Sequence, residues 1–289
     1  MLAALLLAST PGMVASSPSR TYLVTGATEG IGLETCKQLQ SQGHTVLVHG
    51  RNAAKVENVV QSLKEQDSSK AHTGFVYDLS SMAAVREFGA DVIRQYPSLD
   101  GLLNNAGSFD GDYSGSKVVT DEGNEYTLAV NVLAPFLLTS LLLPSLKASG
   151  HGRVIISSSV SMGAPDALSD LQLESSYSAH RAYSLSKLCD AMLSQELHCR
   201  YGDPPRLTFN TMDPTSQCGS GCDTKMLRAG WGNWGAPAEQ STISAEMIAS
   251  PEWAKRSGEG FARRREIADE ALCRKLWEDC VKLTGAEYP

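Results

Sequence analysis

A glycine-rich turn separates the first apolar run of the chain from the first helical one. The apolar run T-Y-L-V-T starts at Thr21, and the turn T-G-A-T-E-G-I-G covers residues 25–32. Glycines let a backbone turn sharply and approach a pyrophosphate closely, and a helix N-terminus adds free N–H groups and a positive dipole. The turn therefore predicts a dinucleotide site, although its spacing is G-x-x-x-G-x-G rather than G-x-G-x-x-G.

Strand and helix patterns alternate along the rest of the chain. Further apolar runs at 45–50, 74–78, 99–107, 153–159 and 206–212 predict five more strands. Between them lie helical periodicities with Gly43 as a C-terminal glycine, Ser80 or Ser81 as a cap, and a long apolar helix at about 120–147 that Pro135 and Pro144 should bend or interrupt. Since the early strands are apolar on both faces, we predict an α/β fold. It is a single-domain doubly wound parallel sheet, a Rossmann fold, with helices on both faces over residues 20–289.

The first 19 residues form an N-terminal tail or a possible targeting segment. The apolar run that starts at Leu2 is too short to cross a bilayer, so no transmembrane segment is expected. Residues 1–20 hold several serines, one arginine and no acidic residue, which weakly resembles an organelle transit peptide. A disordered tail, or a start at Met13, explains the composition equally well. The expected location is therefore cytoplasmic or organellar.

Charge and cysteine content exclude several classes of partner. A formal net charge of -7 over 289 residues argues against nucleic acid and anionic membranes. The basic run of residues 263–265 has acidic neighbours and is interpreted as a solvated surface turn. The seven cysteines lack metal-ligand spacing, so no metal is predicted. Cys218 and Cys222 are either two free loop thiols or a reversible disulfide.

The end of the second predicted strand indicates which dinucleotide is bound. Arg51 stands where the adenosine ribose should lie, a place where NAD sites usually have a carboxylate. A guanidinium favours a 2′-phosphate, so the prediction is NADP(H), with NAD(H) as the less favoured alternative. Glu29 opposes this interpretation mildly, because its charge would sit near the phosphates.

Tyr183 and Lys187 are four residues apart in a helical run and so project from one face. A free phenol has a pKa near 10, and a nearby ammonium together with an oxidised nicotinamide should lower it enough for acid–base catalysis. The structural alternative is a partly buried phenol beside a lysine whose stem covers apolar surface.

Three motifs in order carry a family resemblance: T-G-x-x-x-G-x-G at 25–32, N-N-A-G at 104–107 and Y-x-x-x-K at 183–187. With them, the chain resembles the short-chain dehydrogenase/reductase family nearly throughout after residue 20. The runs around 170–188 and 275–285 look closest to its retinol-dehydrogenase-like branch. The resemblance implies an NADP-dependent oxidoreductase that acts on the C=O or CH–OH group of a small molecule, with a homo-oligomer as one possibility.

Family roles carry over onto matching positions. The catalytic set implied is Asn131, Ser159, Tyr183 and Lys187, with Ser158 as the alternative register for the serine. Tyr183 would exchange a proton with the substrate oxygen, Ser159 would hydrogen-bond that oxygen, Asn131 would hold the backbone or a water relay, and Lys187 would bind ribose hydroxyls. The implied cofactor-binding residues are Gly26, Thr28, Gly30, Ile31, Gly32, Arg51, Asn52, Asp78, Leu79, Asn105, Ala106, Gly107, Tyr183, Lys187, Pro214 and Thr215.

The substrate side departs from the family. Pro214-Thr215 replaces the usual Pro-Gly, and a longer loop follows it. Leu227, Trp231 and Trp234 suggest an apolar lid or, alternatively, cover for the sheet edge, and the loop with Met162, Leu168 and Leu171 is another candidate. A lipophilic carbonyl or alcohol is the expected substrate. The competing hypothesis is a cofactor-sensing or scaffold protein that keeps the fold without turnover.

Overall fold

The computed structural model describes residues 18–219, 221–260 and 265–289, without the side chains of Asp110, Asp112 and Arg265. Residues 1–17 of the predicted tail lie outside these ranges. So do Arg263 and Arg264 of the basic run, so the prediction of a surface turn there stays a prediction.

Six strands form one parallel sheet in the order β3-β2-β1-β4-β5-β6. The strands are β1 (Thr21–Val24), β2 (Thr45–Gly50), β3 (Thr73–Val76), β4 (Gly101–Asn104), β5 (Gly152–Ser157) and β6 (Leu207–Met212). The order reverses between β1 and β4, and a crevice opens at the carboxyl ends of strands at such a point. The predicted parallel sheet is confirmed.

Helices cover both faces of the sheet, as a doubly wound fold requires. They are α1 (Gly30–Ser41), α2 (Ala53–Gln66), α3 (Met82–Gln95), α4 (Asp110–Tyr113), α5 (Tyr126–Leu128), α6 (Ala134–Ala148), α7 (Ala179–Tyr201), α8 (Lys225–Trp231), α9 (Ile243–Ala249), α10 (Arg265–Ala268) and α11 (Glu270–Thr284). The first apolar core contains side chains of α1, α2 and α9, and the second core contains side chains of α3, α6, α7 and α11. The sheet separates the two cores.

The long apolar helix begins later than the sequence predicted, at Tyr126 rather than near residue 120. The Glu125 carboxylate accepts hydrogen bonds from the N–H groups of Thr127 and Leu128 and so caps the helix there. A π-helical turn, Ala129–Leu133, then precedes α6, and Pro135 is the second residue of α6. Since proline lacks the N–H of a regular helical bond, an interruption at this place is expected.

By length and composition the helical run Tyr126–Ala148 is apolar enough to cross a membrane, the one such run within the described ranges. Its mean hydropathy is 1.8, yet 89% of the most apolar window is buried inside the structure. The run therefore serves as the central helix of the second core.

Two helix ends lie where the sequence predicted them. Gly43 follows the C-cap of α1 with φ +82°, a left-handed conformation that glycine tolerates. Of the two candidate serines it is Ser81 that caps α3, because its hydroxyl accepts from the Ala84 N–H at 3.3 Å. Because β1, β4 and β5 are neighbours in the parallel sheet, the loops that follow them lie side by side.

Candidate active site

A cavity of about 450 Å³ lies at the carboxyl ends of the strands. It runs from the glycine-rich turn after β1 to Tyr183 on α7. Most of the residues predicted from the sequence line it: Gly26, Thr28, Gly30, Ile31, Gly32, Arg51, Asp78, Leu79, Asn105, Ala106, Gly107, Ser159, Tyr183, Lys187, Pro214 and Thr215. Asn52 and Asn131 do not line the cavity. Within the described ranges, no three His, Cys, Asp or Glu side chains converge as a metal site would require.

The glycine-rich turn, called the glycine cradle below, packs too closely against neighbouring residues to carry side chains at two of its glycines. Gly26 has φ +63°, and a Cβ there would lie 2.8 Å from Cα of Ala106. A Cβ on Gly32 would lie 2.3 Å from the Gly26 carbonyl oxygen. Gly26, Gly30 and Gly32 also line the cavity, so the backbone at the start of α1 faces it, which is the arrangement that a pyrophosphate needs.

Buried polar groups behind the turn hold it in shape. The Gly26 N–H donates to Nδ1 of His49 at 3.3 Å, and His49 Nε2 lies 3.1 Å from the Tyr77 carbonyl. The ring must therefore be neutral and carry its proton on Nε2, and burial lowers the pKa of His49 to about 4. The Asn105 side-chain amide donates to the Thr25 carbonyl at 2.9 Å. This links the ends of β1 and β4.

At the end of the cavity next to β2, Arg51 donates to the Tyr126 hydroxyl at 2.8 Å. The Glu29 carboxylate pairs with Lys55 at 3.0 Å, so a lysine balances the charge that opposed an anionic ligand. The Asn52 side chain accepts from the Lys55 N–H at 3.0 Å and caps α2, so its predicted contact with the cofactor stays a prediction.

Tyr183 is 7% exposed on the cavity wall. Ser159 lines the same cavity, and the interaction of its hydroxyl with the phenol lowers the pKa of Tyr183. Ser158 points elsewhere, since its hydroxyl donates to the Lys187 carbonyl at 2.6 Å. Of the two registers, the structure therefore places Ser159, not Ser158, beside Tyr183. Catalysis by either remains a prediction.

The pKa of the Tyr183 phenol is raised, and burial is the largest cause. Lys187 and Ser159 oppose the rise, while Asp213 and Asp190 add to it. Our expectation of a lowered pKa is therefore not met by the protein alone. The reason is that burial disfavours phenolate, so a lowered value would need the positive charge of an oxidised nicotinamide as well.

Lys187 is held at two points behind the phenol. Its ammonium donates to the Ser157 carbonyl at 2.7 Å and to the Asp190 carboxylate at 2.9 Å, and its Nζ lies 5.7 Å from the centre of the Tyr183 ring. An ammonium has three N–H donors, so these contacts use two of them. The remaining donor is the one that could reach a ribose hydroxyl.

Asn131 lies in the π-helical turn and acts on backbone instead of on the cavity. Its carbonyl oxygen accepts from the Ser108 N–H at 2.7 Å, and its amide nitrogen donates to the Ser108 carbonyl at 3.1 Å and to the Ser186 hydroxyl at 2.9 Å. The side chain thus ties the loop after β4 to α7, a placement that fits the predicted role of holding the backbone.

The long loop after β6 folds back over the glycine-rich turn. Pro214 and Thr215 line the cavity as predicted, but the Thr215 hydroxyl donates to Asp213. The Sγ atoms of Cys218 and Cys222 lie 2.8 Å apart, both as free thiols.

Thr224 ends the loop and caps α8, and its methyl group lies 3.3 Å from where a Cβ on Gly30 would be. Sequence reasoning missed Thr224, and its position before a short helical run was the only available signal.

Two aromatic rings pack against the phenol; Trp231 lines the cavity, whereas Phe109 is buried and does not line it. The ring centre of Trp231 lies 5.3 Å from that of Tyr183, and the ring centre of Phe109 lies 6.0 Å from it. Leu227, Trp231 and Trp234 all line the cavity, as the lid prediction requires. Met162, Leu168 and Leu171 instead pack in or against the second core. Those three side chains therefore belong to the core and not to a lid, and the contact of Phe109 with the phenol was not predicted.

The parallel sheet, the glycine cradle and the Tyr–Lys pair at the other end of the cavity are typical of a dinucleotide-binding oxidoreductase. The chain belongs to the short chain dehydrogenase family, whose model matches residues 20–216. Within the family it lies in the retinol-dehydrogenase-like branch.

Named relatives and a solved structure support this assignment. The chain is 34% identical to the polyprenol dehydrogenase of Mus musculus, over 96% of this chain and 87% of the relative. It is 31% identical to human (Homo sapiens) retinol dehydrogenase 14, over 92% and 86%. A short chain dehydrogenase from Shigella flexneri, complexed with NADP, superimposes with a TM-score of 0.65 at 25% identity, over 83% of this chain and 95% of that chain.

Proposed function

We propose that the protein transfers a hydride between NADP(H) and the carbonyl or alcohol of a small lipophilic substrate, with Tyr183 as general acid and base. One observation carries this proposal. Ser159, Tyr183 and Lys187 meet on the wall of the same cavity that begins at the glycine cradle. A nucleotide that enters at one end would therefore have its far end beside a phenol.

Each residue has a distinct task in this proposal. When bound, the nicotinamide supplies or accepts the hydride. Tyr183 gives its proton to the substrate oxygen during reduction and removes it during oxidation. Ser159 donates a hydrogen bond to the same oxygen as negative charge develops on it. Lys187 holds a positive charge behind the phenol, and Trp231 limits the access of water to the phenol.

Preference for NADP(H) rests on charge at the β2 end of the cavity. The Arg51 guanidinium lines it, no carboxylate stands at the end of β2, and Lys55 balances Glu29. A guanidinium at this position favours a cofactor with a 2′-phosphate. The NADP in the Shigella neighbour supports the same choice.

A lipophilic substrate is supported by Trp231 and Trp234 on the cavity wall near Tyr183 and by the names of the relatives, which refer to retinol and polyprenol. Pockets lined by aromatic side chains bury apolar ligands well. The carbon skeleton of the substrate follows from neither observation.

The test is a screen of aldehydes and ketones for NADPH consumption, with Tyr183→Phe as the diagnostic variant. Loss of the hydroxyl should lower turnover by about 10³-fold, a typical size for general acid catalysis, while NADPH still binds. Tyr201→Phe, at the far end of α7, is the matched control and should keep full activity. Turnover retained in Tyr183→Phe would refute the assignment. Binding of NADPH without turnover of any carbonyl would favour the cofactor-sensing alternative.

A further inference from the structure

The ammonium of Lys187 meets a carboxylate one helical turn further along α7. Its partner is Asp190, at 2.9 Å, and the two side chains are only 6% and 2% exposed. Removing two charges from water costs several kcal/mol per ion, so a buried pair is weak evidence for stability. Stability therefore does not explain the Lys187–Asp190 pair, and its effect on the position and charge of the Lys187 ammonium is considered instead.

The pair fixes where the ammonium sits. Lys187 Nζ is held between the Asp190 carboxylate and the Ser157 carbonyl. Ser157 is the last residue of β5 and stands two positions before Ser159. Lys187 lines the cavity and Asp190 does not. Any effect of Asp190 on the site must therefore pass through Lys187 or through its own electric field.

That field acts on the phenol. The negative charge of Asp190 raises the pKa of Tyr183, against the lowering by Lys187. Two other titratable groups face the cluster from neighbouring elements, Asp213 from the loop after β6 and Cys280 from α11, and Cys189 adjoins it on α7. Asp213 acts in the same direction as Asp190, so two carboxylates oppose one ammonium.

We propose that Asp190 is a positioning residue that holds the Lys187 ammonium at the end of β5 and balances its charge behind the Tyr183 phenol. The inference rests on the proposed function, because it assigns Asp190 a part in setting the pH range of Tyr183. A carboxylate here makes the phenol a weaker acid, which keeps the proton in place for carbonyl reduction at neutral and mildly alkaline pH.

Asp190→Asn tests this, since it keeps the shape and removes the charge. The limb of the pH–rate profile that depends on Tyr183 should move down by about one pH unit, the size of one charge felt through a partly screened interior. A second readout needs no turnover. The uncompensated ammonium should raise the ratio of the Kd for NADP⁺ to the Kd for NADPH, on the order of fivefold, measured by tryptophan fluorescence.

Glu196→Gln is the matched control, because Glu196 is also buried on α7 and pairs with Arg200 at 2.7 Å, away from the cavity. It should change neither readout. If Asp190→Asn does not fold, Asp190→Ser provides a smaller neutral side chain. Failure of both to fold would overturn the inference, because the carboxylate would then be a structural requirement.

The two readouts distinguish failure of this inference from failure of the proposed function. A wild-type protein that turns over a carbonyl, with neither readout moved by Asp190→Asn, overturns the role of Asp190 alone. A shifted Kd ratio in a protein that reduces no carbonyl overturns the proposed function and leaves the charge balance at Lys187 standing.

Discussion

Arg51 and Lys55 lie four residues apart where β2 passes into α2, and each has a polar partner. Arg51 donates to the Tyr126 hydroxyl, and Lys55 pairs with Glu29. Lys55 thus balances a fixed carboxylate and does not line the cavity, whereas Arg51 does line it. At the scale of single residues, Arg51 is therefore the side chain to test for cofactor preference.

Arg51→Asp should reverse the preference between the two dinucleotides. A carboxylate would accept from a ribose 2′-OH and repel a 2′-phosphate, so the ratio of kcat/KM for NADPH to that for NADH should fall about 100-fold. Arg274→Asp on α11 gives the same change in net charge far from the cavity and should leave the ratio unaltered. A wild-type protein that prefers NADH would contradict the prediction from the outset.

Two elements meet over the glycine cradle, the start of α1 and the start of α8. The first offers its backbone N–H groups, and the second approaches through Thr224. Helix α8 also carries Trp231 onto the phenol. One short helix thus joins the two ends of the cavity, so its position should affect both cofactor and substrate binding.

Gly32→Ala tests the cradle at the level of the element. The new methyl group would clash with the Gly26 carbonyl and with the Asn105 amide, 2.3 and 2.6 Å away. The turn must then shift, and we expect NADPH affinity to fall by more than about 10-fold, as overpacking of this size costs 1–3 kcal/mol. Isothermal titration calorimetry gives the affinity directly.

Gly43→Ala, at the other end of α1, is its control. A Cβ there meets nothing within 4 Å, but φ is +82°. The variant should lose about 1 kcal/mol of folding stability through backbone strain alone and bind NADPH normally. Equal affinity in both glycine variants would mean that the cradle does not contact the nucleotide.

On the scale of the whole molecule, buried neutral histidines connect pH with the free energy of unfolding. The pKa of His49 is about 4 in the fold, below its ordinary 6.5, so between these values the unfolded chain binds more protons. Its contribution is present above pH 6.5 and is lost as the pH falls towards 4. Burial also lowers the pKa values of His44 and His72, which act in the same direction.

His49→Gln isolates the share of His49. Glutamine can accept from Gly26 and donate to the Tyr77 carbonyl, yet it does not titrate. Urea unfolding gives the free energy of unfolding at pH 7.5 and at pH 4.5. The fall in this free energy between the two pH values should be smaller in the variant than in the wild type, by up to about 3 kcal/mol. Identical losses in the two proteins would show that His49 is not held neutral by the fold.

The sequence predicted the sheet, the cradle and the Tyr–Lys pair because each depends on local spacing. Residues 25–32 and the four-residue step from Tyr183 to Lys187 carry that spacing directly. The pKa direction of Tyr183 could not be predicted, since burial depends on residues distant in sequence, such as Phe109 and Trp231. The cap formed by Asn52 was not predicted, because capping and ligand contact favour the same residue types at the start of a helix.

For Asp190 and Thr224 the sequence held a partial signal. Asp190 stands three residues after Lys187, a spacing that brings two helical side chains together, so the sequence held a signal for the pair. Thr224 carried a cap pattern, but its approach to Gly30 depends on how the loop after β6 folds back.

The apolar run Tyr126–Ala148 has a consequence for how the molecule fails. In the folded state the sheet and its neighbours cover it, but any opening of that layer uncovers 23 residues as apolar as a lipid-spanning segment. Partly unfolded chains that expose such an apolar segment aggregate faster than they refold. Heating should therefore end in precipitation, with a scan-rate-dependent midpoint, so that the lifetime of the protein is governed by its unfolding rate.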